Sequence, residues 1–184
     1  MKRLAGMQPY FFPYLGYWQL IAAVDCFVLF DEAQYINRGW INRNRILKPG
    51  GGWQYIQVPV VKHPLDTAIR DVNIAPQPGW KTKIVNQLAH YRTKAPHFGE
   101  TMELIESVLF GGQEQDISGL NCRIVRVLCE ALSIRCEIIV SSDYAFDYST
   151  VTVPGDYALV HALHMGATEV VNPANGIHLL DEEK

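Results

Sequence analysis

Residues 4–31 read LAGMQPYFFPYLGYWQLIAAVDCFVLFD, and this stretch decides the fold. It opens on a short apolar run, 4–8, that reads as a strand. Pro9 and Pro13 exclude a central strand over the next residues, because proline cannot donate to a ladder. Residues 16–24, GYWQLIAAV, carry Trp18, Ile21 and Ala22 at helical spacing. Asp25 ends that helix. Residues 26–30, CFVLF, form the continuous apolar run of a strand buried on both faces. Strand, loop, helix, strand is a βαβ unit, which predicts a parallel sheet. Asp31-Glu32 then stands at the carboxyl end of the second strand, where open α/β sheets bind ligands. The aromatic loop 8–14, QPYFFPY, is expected at the same edge.

The rest of the chain fits that start. Strands are predicted over 53–61, 134–140 and 169–171, and a further extended segment over 68–74. Residues 36–47 read as an extended segment or hairpin around Gly39, and 48–52, KPGGG, as a turn. Helices are predicted over 80–91, 98–110, 116–132 and 156–165, the second ended by Gly111-Gly112 and the fourth by Gly166. The expected fold is a single α/β domain over 1–184, with a mostly parallel, Rossmann-like (nucleotidyltransferase-like) sheet and helices on both faces. No internal repeat, low-complexity run or linker divides it. The close on Asp181-Glu182-Glu183-Lys184 reads as the start of a helix, so a C-terminal extension is expected beyond it in the natural protein or its relatives.

Composition narrows the function. With 184 residues, 48% hydrophobic and 19% charged, there is apolar material for a core. A net charge of −3 supplies no global field for nucleic acid. No segment is long and apolar enough to span a bilayer, and no signal peptide is expected after Met1-Lys2-Arg3. Cys26, Cys122, Cys129 and Cys136 lack CxxC spacing and read as reduced, mostly buried thiols of a cytoplasmic protein. His161 and His164, three apart on one helix, are the best metal pair the sequence offers. No HExxH accompanies them, and no metal site is expected. GxSxG, Walker A and GxGxxG motifs are absent.

Four constellations carry chemistry. Gln8 and Tyr10 bring polar handles to a loop whose prolines lower the entropy lost on binding. Phe11 and Phe12 in that loop read as core. Asp31, followed by Gln34 and Tyr35, is a candidate general base, metal ligand or ribose contact. In 40–46, WINRNRI, an extended chain puts Asn42 and Asn44 on one face and Arg43 and Arg45 on the other. Paired guanidinium groups suit phosphate or carboxylate. Residues 172–176, NPANG, follow a strand and offer Asn172, Asn175 and the backbone at Gly176 as an anion nest or a plain turn.

These residues also carry a likeness. MQPYFFPYLGYWQLI, VDCFVLFDEAQY, WINRNRI and the closing HALHMGATEVVNPANGIHLLD resemble the WbqC-like family of bacterial proteins, over nearly the whole chain. The matching positions are Gln8, Tyr10, Pro13, Gly16, Asp31, Gln34, Tyr35, Arg43, Asn44, Asn172 and Gly176. Asn175 stands where the family's loop more often has a first glycine. The resemblance implies an accessory enzyme of surface polysaccharide (O-antigen) or other glycan biosynthesis, transferring an acyl or aminoacyl group to an amino sugar. A weaker layout is similar to the HxGH nucleotidyltransferases, with Gly16 in the glycine's place. Tyr14 and Tyr17 replace the two histidines, which speaks against adenylyl transfer and leaves nucleotide binding open.

Two readings follow. In the first, Asp31 is the catalytic base of a transferase, and Gln8, Tyr10, Gln34, Tyr35, Arg43, Asn44, Arg45, Asn172, Asn175 and Gly176 bind a nucleotide-sugar or similar small substrate. The cofactor is unspecified, a nucleotide or activated acyl donor being the expected class. In the second, the chain is a non-catalytic nucleotide-sugar-binding or scaffold protein of a glycan pathway.

Overall fold

The computed structural model describes residues 1–173. The chain folds as two compact units. Unit 1 holds Met1–Pro9, Pro13–Ala33 and the described residues from Leu128 on; unit 2 holds Tyr10–Phe12 and Gln34–Val127.

Unit 1 is an α/β layer structure. Its strands are β1 (Arg3–Met7), β2 (Cys26–Leu29), β5 (Glu137–Val140) and β6 (Glu169–Val170), all parallel, in the order β5-β2-β1-β6. Counted within this sheet alone, the order is 3-2-1-4, the first four positions of a doubly wound sheet. The chain reverses its direction of travel between β1 and β6, so the topological switch point lies there. Pairing of β1 with β6 covers Arg3↔Glu169 and Leu4↔Val170, with the Val171 N–H donating to the Leu4 carbonyl.

The strand period sets the two faces. Leu4, Cys26, Val28 and Ile139 pack together on one face, covered by Phe146, Met165 and Ala167. Helix α5 (Asp156–His164) lies on that face: a Cβ placed on Gly6 would come 3.7 Å from His161 Nδ1 and 3.6 Å from Val28 Cβ. Phe27 points to the other face. There it meets Tyr17 of α1 (Leu15–Ala22) edge to face at 5.3 Å. Helices therefore flank both faces, as the βαβ reading requires. Tyr17 is fully buried and its hydroxyl donates to the Gln8 carbonyl, so α1 ties down the residue that follows β1.

Unit 2 is built around a hairpin. Strands β3 (Arg43–Leu47) and β4 (Trp53–Gln57) pair antiparallel, from Arg43↔Gln57 to Leu47↔Trp53. The turn KPGGG joins them, and Gly50, Gly51 and Gly52 all take positive φ, 87°, 114° and 72°, which a side chain would resist. Helices α2 (Trp80–Leu88) and α3 (Phe98–Phe110) follow, and α4 (Ile117–Ala131) runs across the boundary into unit 1. Asn121 of α4 donates to the Ile41 carbonyl at 2.7 Å, anchoring the approach to the hairpin.

Three expectations shift. The hairpin turns at 48–52 and not at Gly39, whose N–H closes a tight turn on the Ile36 carbonyl. The strand expected over 53–61 ends at Gln57, because Pro59 has no N–H to continue the ladder. The extended segment expected over 68–74 instead holds one 3-10 turn, Ile69–Asp71. Among the described residues, no helix is long and apolar enough to cross a membrane.

Candidate functional site

The parallel strands of unit 1 end at one edge, and the ends of β2 and β5 carry a polar network. Asp31 follows β2 and is buried, 2% exposed. Its carboxylate accepts from the Ser141 hydroxyl at 3.0 Å, the Ser142 N–H at 3.1 Å and the Ser142 hydroxyl at 2.8 Å. Those serines begin the 3-10 turn Ser141–Asp143 directly after β5. Asp31 thus locks the carboxyl ends of two neighbouring strands together. A buried carboxylate needs such donors, since an unpaired one costs several kcal/mol.

One residue further, Glu32 leaves this lock. Tyr148 donates its hydroxyl proton to Glu32 Oε2 at 2.8 Å, and the same hydroxyl lies 3.0 Å from His161 Nε2. With the phenolic O–H directed at Glu32, His161 Nε2–H is the donor of the second bond. His161 is 1% exposed, and burial, with the nearby His164 charge, lowers its pKa to about 4. It is therefore neutral at physiological pH. Burial first, then the Glu32 hydrogen bond and charge, drive the Tyr148 phenol far above its ordinary value. The chain His161–Tyr148–Glu32 is a polarised hydrogen-bond relay that ends on a half-buried carboxylate.

Rings enclose this relay. Phe30 meets Tyr157 at 4.8 Å and His161 at 5.2 Å, and Phe146 meets His161 at 4.6 Å. Gly6 explains why the imidazole reaches β1 at all: a glycine within a strand marks a close approach. His161 and His164, the sequence's best metal pair, part company, one buried and the other exposed.

The residues singled out from sequence divide between the units. Gln8, Asp31 and Asn172 belong to unit 1, where Gln8 follows β1 and Asn172 follows β6, on either side of the switch point. Both are half-buried. Tyr10, Gln34, Tyr35, Arg43, Asn44 and Arg45 belong to unit 2. Asn175 and Gly176 lie outside the described residues.

In unit 2 the alternation read from WINRNRI holds. Asn44 turns inward and donates to the Phe11 carbonyl at 3.3 Å and to that of Phe12, while buried Asn42 donates to the Val58 carbonyl. Phe12 sits at φ 45°, a left-handed conformation that a bulky residue adopts only when held. Phe11 is fully buried, so that part of the aromatic loop is core. Tyr35 is buried too, its ring 4.7 Å from His63, with burial raising its pKa against the opposing Arg43 charge. Gln34 donates to the Leu65 carbonyl at 2.6 Å.

On the outward face the two arginines stack on rings. Arg43 lies 4.1 Å over Tyr55 and donates to the Gly39 carbonyl at 3.1 Å and to the Arg38 carbonyl. Arg45 lies between Trp40, at 4.9 Å, and Trp53, at 4.8 Å. Trp53 is half exposed, and Leu47 beside it is more so.

Sequence reasoning passed over Glu32, Tyr148 and His161 as a group, and did not single out Ser141-Ser142. Glu32's position after β2 was a usable signal; Tyr148, in a loop 116 residues away, gave none. The four cysteines are thiols and form no disulfide. Burial raises Cys26 and Cys129 to about 11 and Cys136 to about 12, so none of these three is a thiolate nucleophile at neutral pH.

Comparison with known proteins places the chain. The model of the WbqC-like protein family matches residues 8–184, and the chain belongs to that family. It is 36% identical over 145 residues to the uncharacterized protein Rv1507c of Mycobacterium tuberculosis (strain ATCC 25618 / H37Rv). The match covers 78% of this chain and 62% of that relative's length. No solved structure matches the chain significantly.

Proposed function

We propose that the carboxyl edge of the unit 1 sheet is the active site of a transferase that moves an acyl or aminoacyl group onto an amino sugar of a glycan precursor. The observation that carries this reading is the His161–Tyr148–Glu32 relay at a strand end, beside a topological switch point. The acceptor nitrogen attacks the acyl carbon of an activated ester or thioester. A C–N bond forms, and the bond to the leaving group breaks with its electron pair. The proton lost by nitrogen passes to Glu32, which returns it to the leaving group. Once Glu32 is protonated, the Tyr148 O–H is released to stabilise the oxyanion, and His161 holds the phenol in place. Gln8 and Asn172 contact the substrate. Asp31, buried and satisfied by the two serines, is a positioning residue in this scheme.

The test is turnover of nucleotide-linked amino sugars with acyl thioesters, read by product mass. Tyr148→Phe is expected to lower kcat about a hundredfold or more, with nucleotide-sugar binding unchanged in a thermal shift. Undiminished turnover in Tyr148→Phe would remove the relay from the mechanism.

The second reading, a binding or scaffold protein, draws on the exposed hairpin face. Trp53, Leu47 and Arg45 present rings and charge together, as docking surfaces do. In that case Arg43 and Arg45 hold a carboxylate or phosphate. Binding of nucleotide-sugars that depends on Arg45, with no product from any donor, would favour it.

A further inference from the structure

Unit 2 contains a cleft that neither arginine nor the sheet edge explains. The segment NIAPQPG, 73–79, leads into α2. The Ile74 N–H donates to the Gln115 carbonyl at 2.7 Å and the Ala75 N–H to the Pro59 carbonyl at 2.9 Å, so its first half is clamped on both sides. Pro76 and Pro78 stiffen the second half. Gly79, at φ 79°, faces open space: a Cβ there would meet nothing within 4 Å. Trp80 opens the helix at the rim.

Two cavities share Trp80, Gln77 and Pro78. The larger, about 780 Å³, is lined also by Asn73, Gln115, Lys81 and Glu114; the smaller, about 300 Å³, adds Gln57 and Lys83. Both volumes fall in the range of small-molecule sites, roughly 300–1,000 Å³.

We infer that this cleft binds a saccharide. Four side-chain amides stand among prolines and apolar residues in the lining: Asn73, Gln77, Gln115 and Gln57. Each amide offers donors and an acceptor, the combination a sugar hydroxyl needs. The Trp80 ring supplies an apolar face for the C–H side of a pyranose. The charged lining is one lysine in each cavity, Lys81 and Lys83, and one carboxylate, Glu114. Glu114 is held by two bonds from Arg123, one at 2.9 Å, and that pairing keeps its pKa below the ordinary carboxylate range despite burial. Lys81 rests 5.5 Å from the Trp80 ring and 5.7 Å from the Phe110 ring. A diphosphate would call for several converging cations, and an apolar ligand would leave the amides unpaired. A neutral, hydroxyl-rich ligand meets neither difficulty, and two adjoining cavities on one tryptophan fit consecutive sugar units.

The inference extends the glycan part of the proposed function and rests on that reading for its biological sense, but it concerns binding alone. The full chain is titrated with maltotriose and with tri-N-acetylchitotriose, followed by saturation-transfer NMR and calorimetry, with UDP as the control. At least one trisaccharide should bind. Trp80→Ala should weaken it about tenfold or more, and the exposed Gln115→Ala about threefold to tenfold. Trp40→Ala, in the segment before β3, should change nothing. Should Trp80→Ala unfold, Gln115→Ala and Gln77→Ala carry the test. Absence of any trisaccharide signal, a signal indifferent to both glutamine variants, or binding of UDP alone would overturn the inference. Because no donor is present, that failure is separate from a failure of turnover in the Tyr148→Phe test.

Discussion

The edge of the unit 1 sheet and the outer face of the unit 2 hairpin use the same materials to different ends. Each combines charged side chains with rings. At the sheet edge Asp31, Glu32, Tyr148 and His161 are hydrogen-bonded to partners inside a buried or half-buried shell. On the hairpin Arg45 lies between two tryptophans in contact with water. Low local dielectric makes the first arrangement expensive to disturb and able to move a pKa; solvent makes the second cheap to disturb and free to meet a ligand. Burial, and not the kind of residue, separates the two.

The largest expected effect is at the sheet edge. Asp31→Ala deletes an acceptor that serves three donors, and urea denaturation should show a loss of about 3–4 kcal/mol. A loss below about 1 kcal/mol would mean that water replaces the carboxylate freely, and the contrast between the regions would collapse. Asp31→Asn sharpens the point. It keeps one acceptor oxygen, and the Ser142 hydroxyl can turn to accept from the new amide. Stability should largely return, so any loss of turnover that remains in Asp31→Asn would assign Asp31 a proton-transfer role that positioning does not explain.

Next in size is the acid dependence. His161 binds a proton at about pH 4 when folded, against an ordinary value of 6.5. Between those values the unfolded chain carries the extra proton, so stability rises with pH through the window. The contribution is complete above pH 6.5 and is lost as pH falls to 4, amounting to about 3 kcal/mol. Urea midpoints measured across this window should flatten in His161→Gln. An NMR titration midpoint for His161 near or above 6.5 would show that the relay is open to water.

The same division explains what the sequence revealed. The βαβ opening was legible because its signals are local: an apolar run, prolines, a helical period, a second apolar run. So was the position of Asp31, since strand ends fall where apolar runs stop. The faces of WINRNRI followed from the strand period alone. Of the two readings left open for 36–47, the extended one held over Arg43–Leu47 and the hairpin turned at KPGGG, where Gly50–Gly52 take the positive φ values; a polar, aromatic segment has no strong period to decide between them. The relay was illegible for another reason. His161 read as half of a metal pair; what joins it to Tyr148 and Glu32 is a long-range fold, and no spacing along the chain encodes it.

The smallest effect is expected on the hairpin, where it tests the contrast most finely. Arg45 makes two ring contacts in the open, and an exposed cation–π contact is worth roughly 0.5–1 kcal/mol. Its loss also frees side-chain entropy. Arg45→Ala should therefore cost less than about 1 kcal/mol in urea denaturation. Arg43 faces the same way but is half-buried, and it adds bonds to the Gly39 and Arg38 carbonyls, the second on a residue held at φ 62°. Arg43→Ala should thus exceed Arg45→Ala by about 1 kcal/mol. If the two arginines cost the same, the carbonyl bonds contribute nothing net and both belong to a free, ligand-ready surface. If the ordering holds, Arg43 braces the turn before β3, and Arg45 alone remains available to an anionic ligand.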